Sequence, residues 1–112
     1  MKTNTARKRL VNQSETCEKQ LRRMCKNIAE DITEGKVSIE KLMEGVYDIE
    51  WITSRDHSYK AACLMVTGGG PTVWVNLQTS TVDGYWGCDK VNHGFIDNIG
   101  LDEHLEELHG CK

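Results

Sequence analysis

The feature that most constrains this chain is a change of hydrophobic period near Tyr47. Upstream, Leu21, Met24, Cys25, Ile28 and Ile32 recur at spacings of three, one, three and four, while Glu18, Lys19, Arg22, Lys26 and Glu30 fill the positions between. That is the stripe of a helix that buries one face. Downstream the repeat is two: Tyr47, Ile49 and Trp51 alternate with Asp48 and Glu50, and Val73, Val75 and Leu77 alternate with Thr72, Trp74 and Asn76. Alternation of that kind belongs to strands with one face inward. A chain carrying the two periods in separate blocks folds as an α+β protein.

Punctuation divides the blocks. Ser14, followed by Glu15, is placed to cap a first helix, and Gly35 to stop it near Glu34, where glycine accepts a left-handed C-cap. "SIEKLMEGV" repeats the arrangement in short form, with Ser38 as N-cap, Ile39, Leu42 and Met43 inward and Gly45 as the stop. Three strands follow in "YDIEWITS", "YKAACLMV" and "TVWVNLQ", and a fourth in "TVDGYWG", where Val82 and Trp86 share a face with Gly84 between them. The connectors "SRDHS", Gly68 to Pro71 and "QTST" are short, which favours an antiparallel meander. Beyond Gly87 the pattern loosens. "LDEHLEELHG" then reads as a closing helix with Leu101, Leu105 and Leu108 inward, Asp97 or Asn98 near its start and Gly110 at its end. The expectation is a pair of N-terminal helices packed on a three- to four-stranded antiparallel meander, with a short C-terminal helix. Residues 14–112 form one domain, and residues 1–13, with Lys2, Arg7, Lys8 and Arg9, read as a mobile basic tail.

Length supports one domain, since 112 residues suffice for a single two-layer core. No apolar run reaches the roughly 20 residues of a membrane span, and the basic start "MKTNTARKRL" is not followed by the apolar stretch of a secretory leader. A cytoplasmic location without membrane partners is expected. Five cysteines, with no paired spacing, read as reduced thiols. The net charge of −3 conceals an asymmetry: residues 1–47 carry ten Lys/Arg against seven Asp/Glu, and residues 48–112 carry four against ten. An acidic second half repels nucleic acid and attracts basic partners.

"TGGGPTVWV" tests whether the chain grips a phosphate. A phosphate loop needs backbone amides converging at a helix start, commonly with a Lys and a Ser or Thr beyond. Here the glycines run into Pro71, which lacks an amide, and then into a strand, so the segment reads as a strand-to-strand turn in which glycine supplies positive φ. Such a turn sets Trp74 on the opposite sheet face from Val73 and Val75. If helices cover that face, Trp74 is core. If the face is open, Trp74, Asn76, Asp83 and Tyr85 form an aromatic and acidic patch suited to a protein partner.

Other chemistry is sparser. Asp56 and His57 sit together in a hairpin loop, but no nucleophile can be linked to them. Cys88, His93, His104, His109 and Cys111 are the right ligand types for zinc, although His104 and His109 do not share a helical face. Asp102, Glu103, Glu106 and Glu107 form a solvated acidic face rather than an acid–base pair, because nothing apolar surrounds them in sequence. No catalytic constellation emerges, and no cofactor or metal is expected.

The stretches "GGGPTVWVNLQTSTVDGYWG" and "FIDNIGLDEHLEELHGC" resemble a family of small accessory proteins carried by phages and conjugative elements of Gram-positive gut bacteria. The residues that carry the resemblance are Gly69, Gly70, Pro71, Trp74, Asn76, Val82, Gly84, Trp86, Asp97, Ile99, Gly100, Leu101, Asp102, Glu106, Glu107 and Leu108. It covers about the last half of the chain. The basic extension from Met1 to Leu10 departs from the pattern, and Thr79 to Thr81 lacks the glycine usual in that hairpin. The resemblance implies a mobile-element protein, and such proteins include anti-CRISPR inhibitors of host defence.

The functional expectation is therefore a non-enzymatic inhibitor of a host nucleic-acid-handling complex, a protein or ribonucleoprotein with a basic surface. Asp48, Glu50, Asp83, Asp102, Glu103, Glu106 and Glu107 would stand in for phosphates, with Trp74 and Tyr85 as anchors beside Asn76. The alternatives are a nucleic-acid-binding regulator using the basic tail with Arg22, Arg23 and Lys26, and a small zinc-binding module.

Overall fold

Helix α1, Lys2–Thr33, opens the computed structural model, which describes residues 2–68 and 70–110, with side chains from Cys17 onward. The helix starts well before Ser14, which lies inside it and is not an N-cap, and residues 2–13 of the expected tail are helical backbone. Nothing between Lys2 and Thr33 is glycine or proline, so no residue there breaks the ladder. The end is as expected. Gly35 adopts φ 70°, its N–H donates to the Ile32 carbonyl at 3.2 Å, and the Lys36 N–H donates to the Asp31 carbonyl at 2.8 Å. These are the two bonds of a Schellman motif, which needs a left-handed residue at that position.

Helix α2, Ile39–Glu44, is capped by Ser38, whose Oγ accepts the Lys41 N–H at 3.1 Å, and closes at Gly45. It buries no residue completely, although Leu42 and Met43 pack against the core. Five strands then run in sequence order: β1 Asp48–Thr53, β2 Tyr59–Thr67, β3 Thr72–Asn76, β4 Thr81–Trp86 and β5 Asp89–Gly94. They pair antiparallel in the order β1-β2-β3-β4-β5, the expected meander with one strand more than expected. Helix α3, Leu101–Gly110, closes the chain.

The strand that the sequence did not announce is β5. In "DKVNHG" only Val91 is buried, so there is no apolar alternation to read. Its pairing with β4 extends from Thr81↔Gly94 to Trp86↔Asp89, carried by backbone groups that every residue possesses. The loop is Gly87-Cys88, with Gly87 at φ 61° in the first position, where a two-residue hairpin wants a positive φ. The β3–β4 loop solves the same problem without glycine: Ser80 takes φ 57°, and Asn76 Oδ1 accepts the N–H groups of Gln78 and Thr79 at 2.9 and 3.2 Å. In the glycine loop Thr67 Oγ1 donates to the Pro71 carbonyl at 3.0 Å, and Gly68 is not at positive φ. Gly69 lies outside the described residues.

The core lies between one face of this sheet and the helices. Leu21, Cys25, Ala29 and Ile32 of α1, Leu64, Val73, Val75 and Val82 of the sheet, and Leu101 and Leu105 of α3 are all buried together. Helix α1 crosses β4 and β5, while α3 lies on β2. The helical layer is thus mainly α1 with α3, not the α1–α2 pair read from the sequence, because α2 is only six residues long. Gly84 permits the closest approach. A Cβ built there would stand 2.6 Å from Cys25 Sγ and 2.8 Å from Leu21 Cδ1, so only a residue without a side chain lets α1 seat on β4.

Two further expectations change. Tyr47 lies outside β1 and is 74% exposed, although its N–H donates to the Met65 carbonyl at 2.8 Å. Leu108 is 37% exposed, whereas Leu101 and Leu105 are fully buried. The start of α3 is fixed by Asp97, whose carboxylate accepts the Leu101 and Asp102 N–H groups, both at 2.9 Å, at the positive end of the helix. Asn98 Nδ2 donates to the Thr33 carbonyl at 2.6 Å and the Ile96 N–H to Thr33 Oγ1 at 3.0 Å, which fastens the β5–α3 segment to the end of α1.

Candidate functional site

The alternation in β3 puts Val73 and Val75 in the core and Trp74 and Asn76 on the other side of the sheet. Register carries that division across all five strands. Asp48, Met65, Trp74, Asp83 and Asn92 form one cross-strand row, and Glu50, Cys63, Asn76, Thr81 and Gly94 form the next. Tyr85, paired with Thr72, belongs to the row beyond. Residues opposite one another on paired strands share a face. Six of the expected contact residues, Asp48, Glu50, Trp74, Asn76, Asp83 and Tyr85, therefore lie on the face away from the helices.

Five of the six converge more closely. Glu50, Trp74, Asn76, Asp83 and Tyr85, together with Cys63, line an open depression of about 230 Å³. Among the described residues, no helix residue contributes to its wall. Trp74 is half-buried, Tyr85 is 41% exposed and Glu50 is exposed. The open alternative for Trp74 is thus the one the fold adopts.

Asn76 and Asp83 are held rather than free. Asp83 Oδ1 accepts Thr81 Oγ1 at 2.8 Å, and its Oδ2 accepts a longer bond from Asn76 Nδ2 at 3.4 Å. With its carbonyl oxygen committed to the β3–β4 loop, Asn76 works as a strut between turn and carboxylate. Burial pushes the Cys63 thiol above its ordinary value, and the carboxylates of Glu50 and Asp83 push in the same direction. A thiol so placed stays protonated at neutral pH and is a poor nucleophile. The depression thus sets two aromatic rings and two carboxylates around a thiol that is not activated.

The four acids of the last helix do not join it. Asp102, Glu103, Glu106 and Glu107 are exposed on α3, and α3 packs on the other side of the sheet. Asp102 is engaged there by the hydroxyl of Tyr59, which donates to Oδ1 at 2.7 Å, and Tyr59 ionises less readily because of burial and that bond. The expected acidic surface is accordingly split between two faces. Strand parity gives the relation of residues within the sheet, but not the side on which a later helix lands.

The remaining candidates are dispersed. Asp56 turns toward Ser58, accepting its N–H at 3.1 Å and its hydroxyl at 2.7 Å, and these bonds hold its carboxyl below the usual range. His57, at φ 70°, is a turn residue. His109 stacks in an aromatic group, its ring 5.2 Å from Trp51 and 6.0 Å from Tyr59. Among the described residues, no three His, Cys, Asp or Glu side chains gather at metal-binding distance; Cys111 lies outside them. Arg22 and Lys26 are paired along α1, with Glu18 at 2.9 Å and Glu30 at 3.8 Å.

Fold and site define an α+β protein with a half-covered antiparallel sheet and an aromatic, acidic depression on its open face. No family model matches the chain, and no curated protein and no solved structure shows significant similarity to it. No helix among the described residues is long and apolar enough to cross a membrane.

Proposed function

We propose that this chain is a non-enzymatic binding protein that docks the open face of its sheet onto a basic surface of another protein. The observation that supports the reading is the depression around Trp74, where an aromatic pair is set among carboxylates on a face without helical cover. Trp and Tyr are the anchors favoured in protein interfaces, and uncompensated carboxylates select a positive partner. The acids of α3 stand outside this contact in the proposal, because they occupy the opposite layer.

In its narrower form, taken from the resemblance to mobile-element accessory proteins, the partner belongs to a nucleic-acid-handling host complex, and the chain inhibits it. Affinity capture from a bacterial lysate, repeated with the purified partner, tests the reading. Trp74→Ala and Tyr85→Ala should each abolish capture, and higher salt should weaken it, while charge reversal of Glu103, Glu106 and Glu107 should leave it intact. Capture that survives the aromatic substitutions but fails after the α3 reversals would refute the assignment to this face.

A further inference from the structure

The depression has a composition that narrows what can occupy it. Its two charged groups are both acceptors. Glu50 and Asp83 supply carboxylate oxygens, and Asp83 keeps accepting capacity because each of its oxygens is used once, by a neutral donor. Asn76 is partly engaged: its amide nitrogen donates one hydrogen to Asp83, and its oxygen accepts two loop N–H groups. The wall's donors are all neutral, namely the Trp74 indole N–H, the Tyr85 hydroxyl, the Cys63 thiol and the second amide hydrogen of Asn76, and both of its charged groups are negative. None of the ion pairs among the described residues includes Glu50 or Asp83. An anionic ligand would find repulsion here. A cation that only donates finds what it needs.

Two such side chains exist in proteins, and the layout favours one. Trp74 and Asp83 are directly opposite on β3 and β4, whereas Glu50 lies on β1, two strands from Trp74 and three from Asp83, with Cys63 and Asn76 in its row. The acceptors therefore stand apart across the depression, with an aromatic ring beside them. Guanidinium, planar and with five fixed N–H groups, can lie against a ring while reaching acceptors in different directions; ammonium is a compact point charge that cannot. A volume of about 230 Å³ is smaller than the pockets that enclose whole drug-sized ligands, and is scaled to one side chain.

Building on the docking face proposed above, we infer that the depression takes a single arginine side chain of the partner, its guanidinium against Trp74 and its N–H groups on Glu50 and Asp83. Asp83, fixed in advance by Thr81 and Asn76, loses little freedom when the contact forms. The remainder of the interface would surround this anchor and exclude water from it.

The test uses blocked Gly-Arg-Gly, Gly-Lys-Gly and Gly-citrulline-Gly tripeptides titrated into the isotope-labelled full chain, following the Trp74 indole and Asn76 side-chain amide resonances. The arginine peptide should give saturable shifts in the millimolar range, the lysine peptide about threefold to tenfold weaker binding, and the uncharged citrulline peptide still weaker binding. Glu50→Gln and Asp83→Asn preserve shape, and well-dispersed spectra will confirm that they fold; each should weaken the arginine peptide by about fivefold or more. No saturable shift, equal binding of lysine and arginine, or indifference to both variants would overturn the inference. Loss of the arginine peptide alone leaves partner capture through Trp74 standing, whereas failure of capture with the peptide still bound refutes the docking reading and keeps the anchor chemistry.

Discussion

Replacing Gly84 by alanine tests the seating of α1 on the sheet with the smallest possible perturbation. The added carbon would stand 2.6 Å from Cys25 Sγ and 2.8 Å from Leu21 Cδ1, against roughly 3.5–4.0 Å for an unstrained contact. Both neighbours are fully buried, so neither can swing into solvent. Gly84 is not at positive φ, and alanine can adopt its backbone conformation without strain. Two terms then oppose each other. Alanine restricts the unfolded chain and favours folding by about 0.5–1 kcal/mol, while forcing an extra methyl into a filled core costs about 1–3 kcal/mol. With two contacts about 1 Å too short, the second term should win, leaving a net loss of about 1–2 kcal/mol. At this chain length that corresponds to a fall in Tm of about 4–10 °C. Urea unfolding with an unchanged m-value provides the measurement. Cys25→Ala supplies the control: it should cost about 1 kcal/mol alone, yet recover part of the loss when combined with Gly84→Ala, because the new methyl enters the space vacated by sulfur. A Gly84→Ala protein as stable as the parent, or costs that simply add in the double variant, would refute this account of the packing.

Two other outcomes follow from local chemistry. Asp97→Ala removes the acceptor for the Leu101 and Asp102 amides and should cost about 0.5–2 kcal/mol, with hydrogen exchange at those amides accelerating more than at the β3–β4 ladder. The Cys25 thiol is pushed up from 9.0 to about 11, chiefly by burial and secondarily by Asp83. Because the folded state holds its proton more tightly, the corresponding stability is fully present below pH 9 and falls as pH rises toward 11, by up to about 2–3 kcal/mol. Unfolding followed from pH 8 to pH 11 should show this extra decline in the parent and not in Cys25→Ala, and alkylation at neutral pH should label the exposed Cys88 well before Cys25.

Sequence alone determined what depends on neighbours along the chain. The helical stripe of Leu21, Cys25 and Ile32, the stop at Gly35, the cap at Ser38 and the alternation that separates Trp74 from Val73 and Val75 are local geometry, and each appears as expected. The antiparallel meander followed from short connections. Tertiary structure decided what depends on groups distant in sequence. Strand β5 is held by a backbone ladder to β4, which leaves no trace in side-chain type, and Leu108 lies beyond the reach of the core although its spacing matches that of Leu101 and Leu105. The candidate site divides in the same way. Strand parity grouped Trp74, Asn76, Asp83 and Tyr85, but only the register of β1 and β2 brought Glu50 beside them, and only the packing of α1 and α3 against the Val73 side left the group uncovered and carried Glu103, Glu106 and Glu107 to the other layer. Periodicity fixes which residues share a face, and burial of the largest apolar area decides which face is closed.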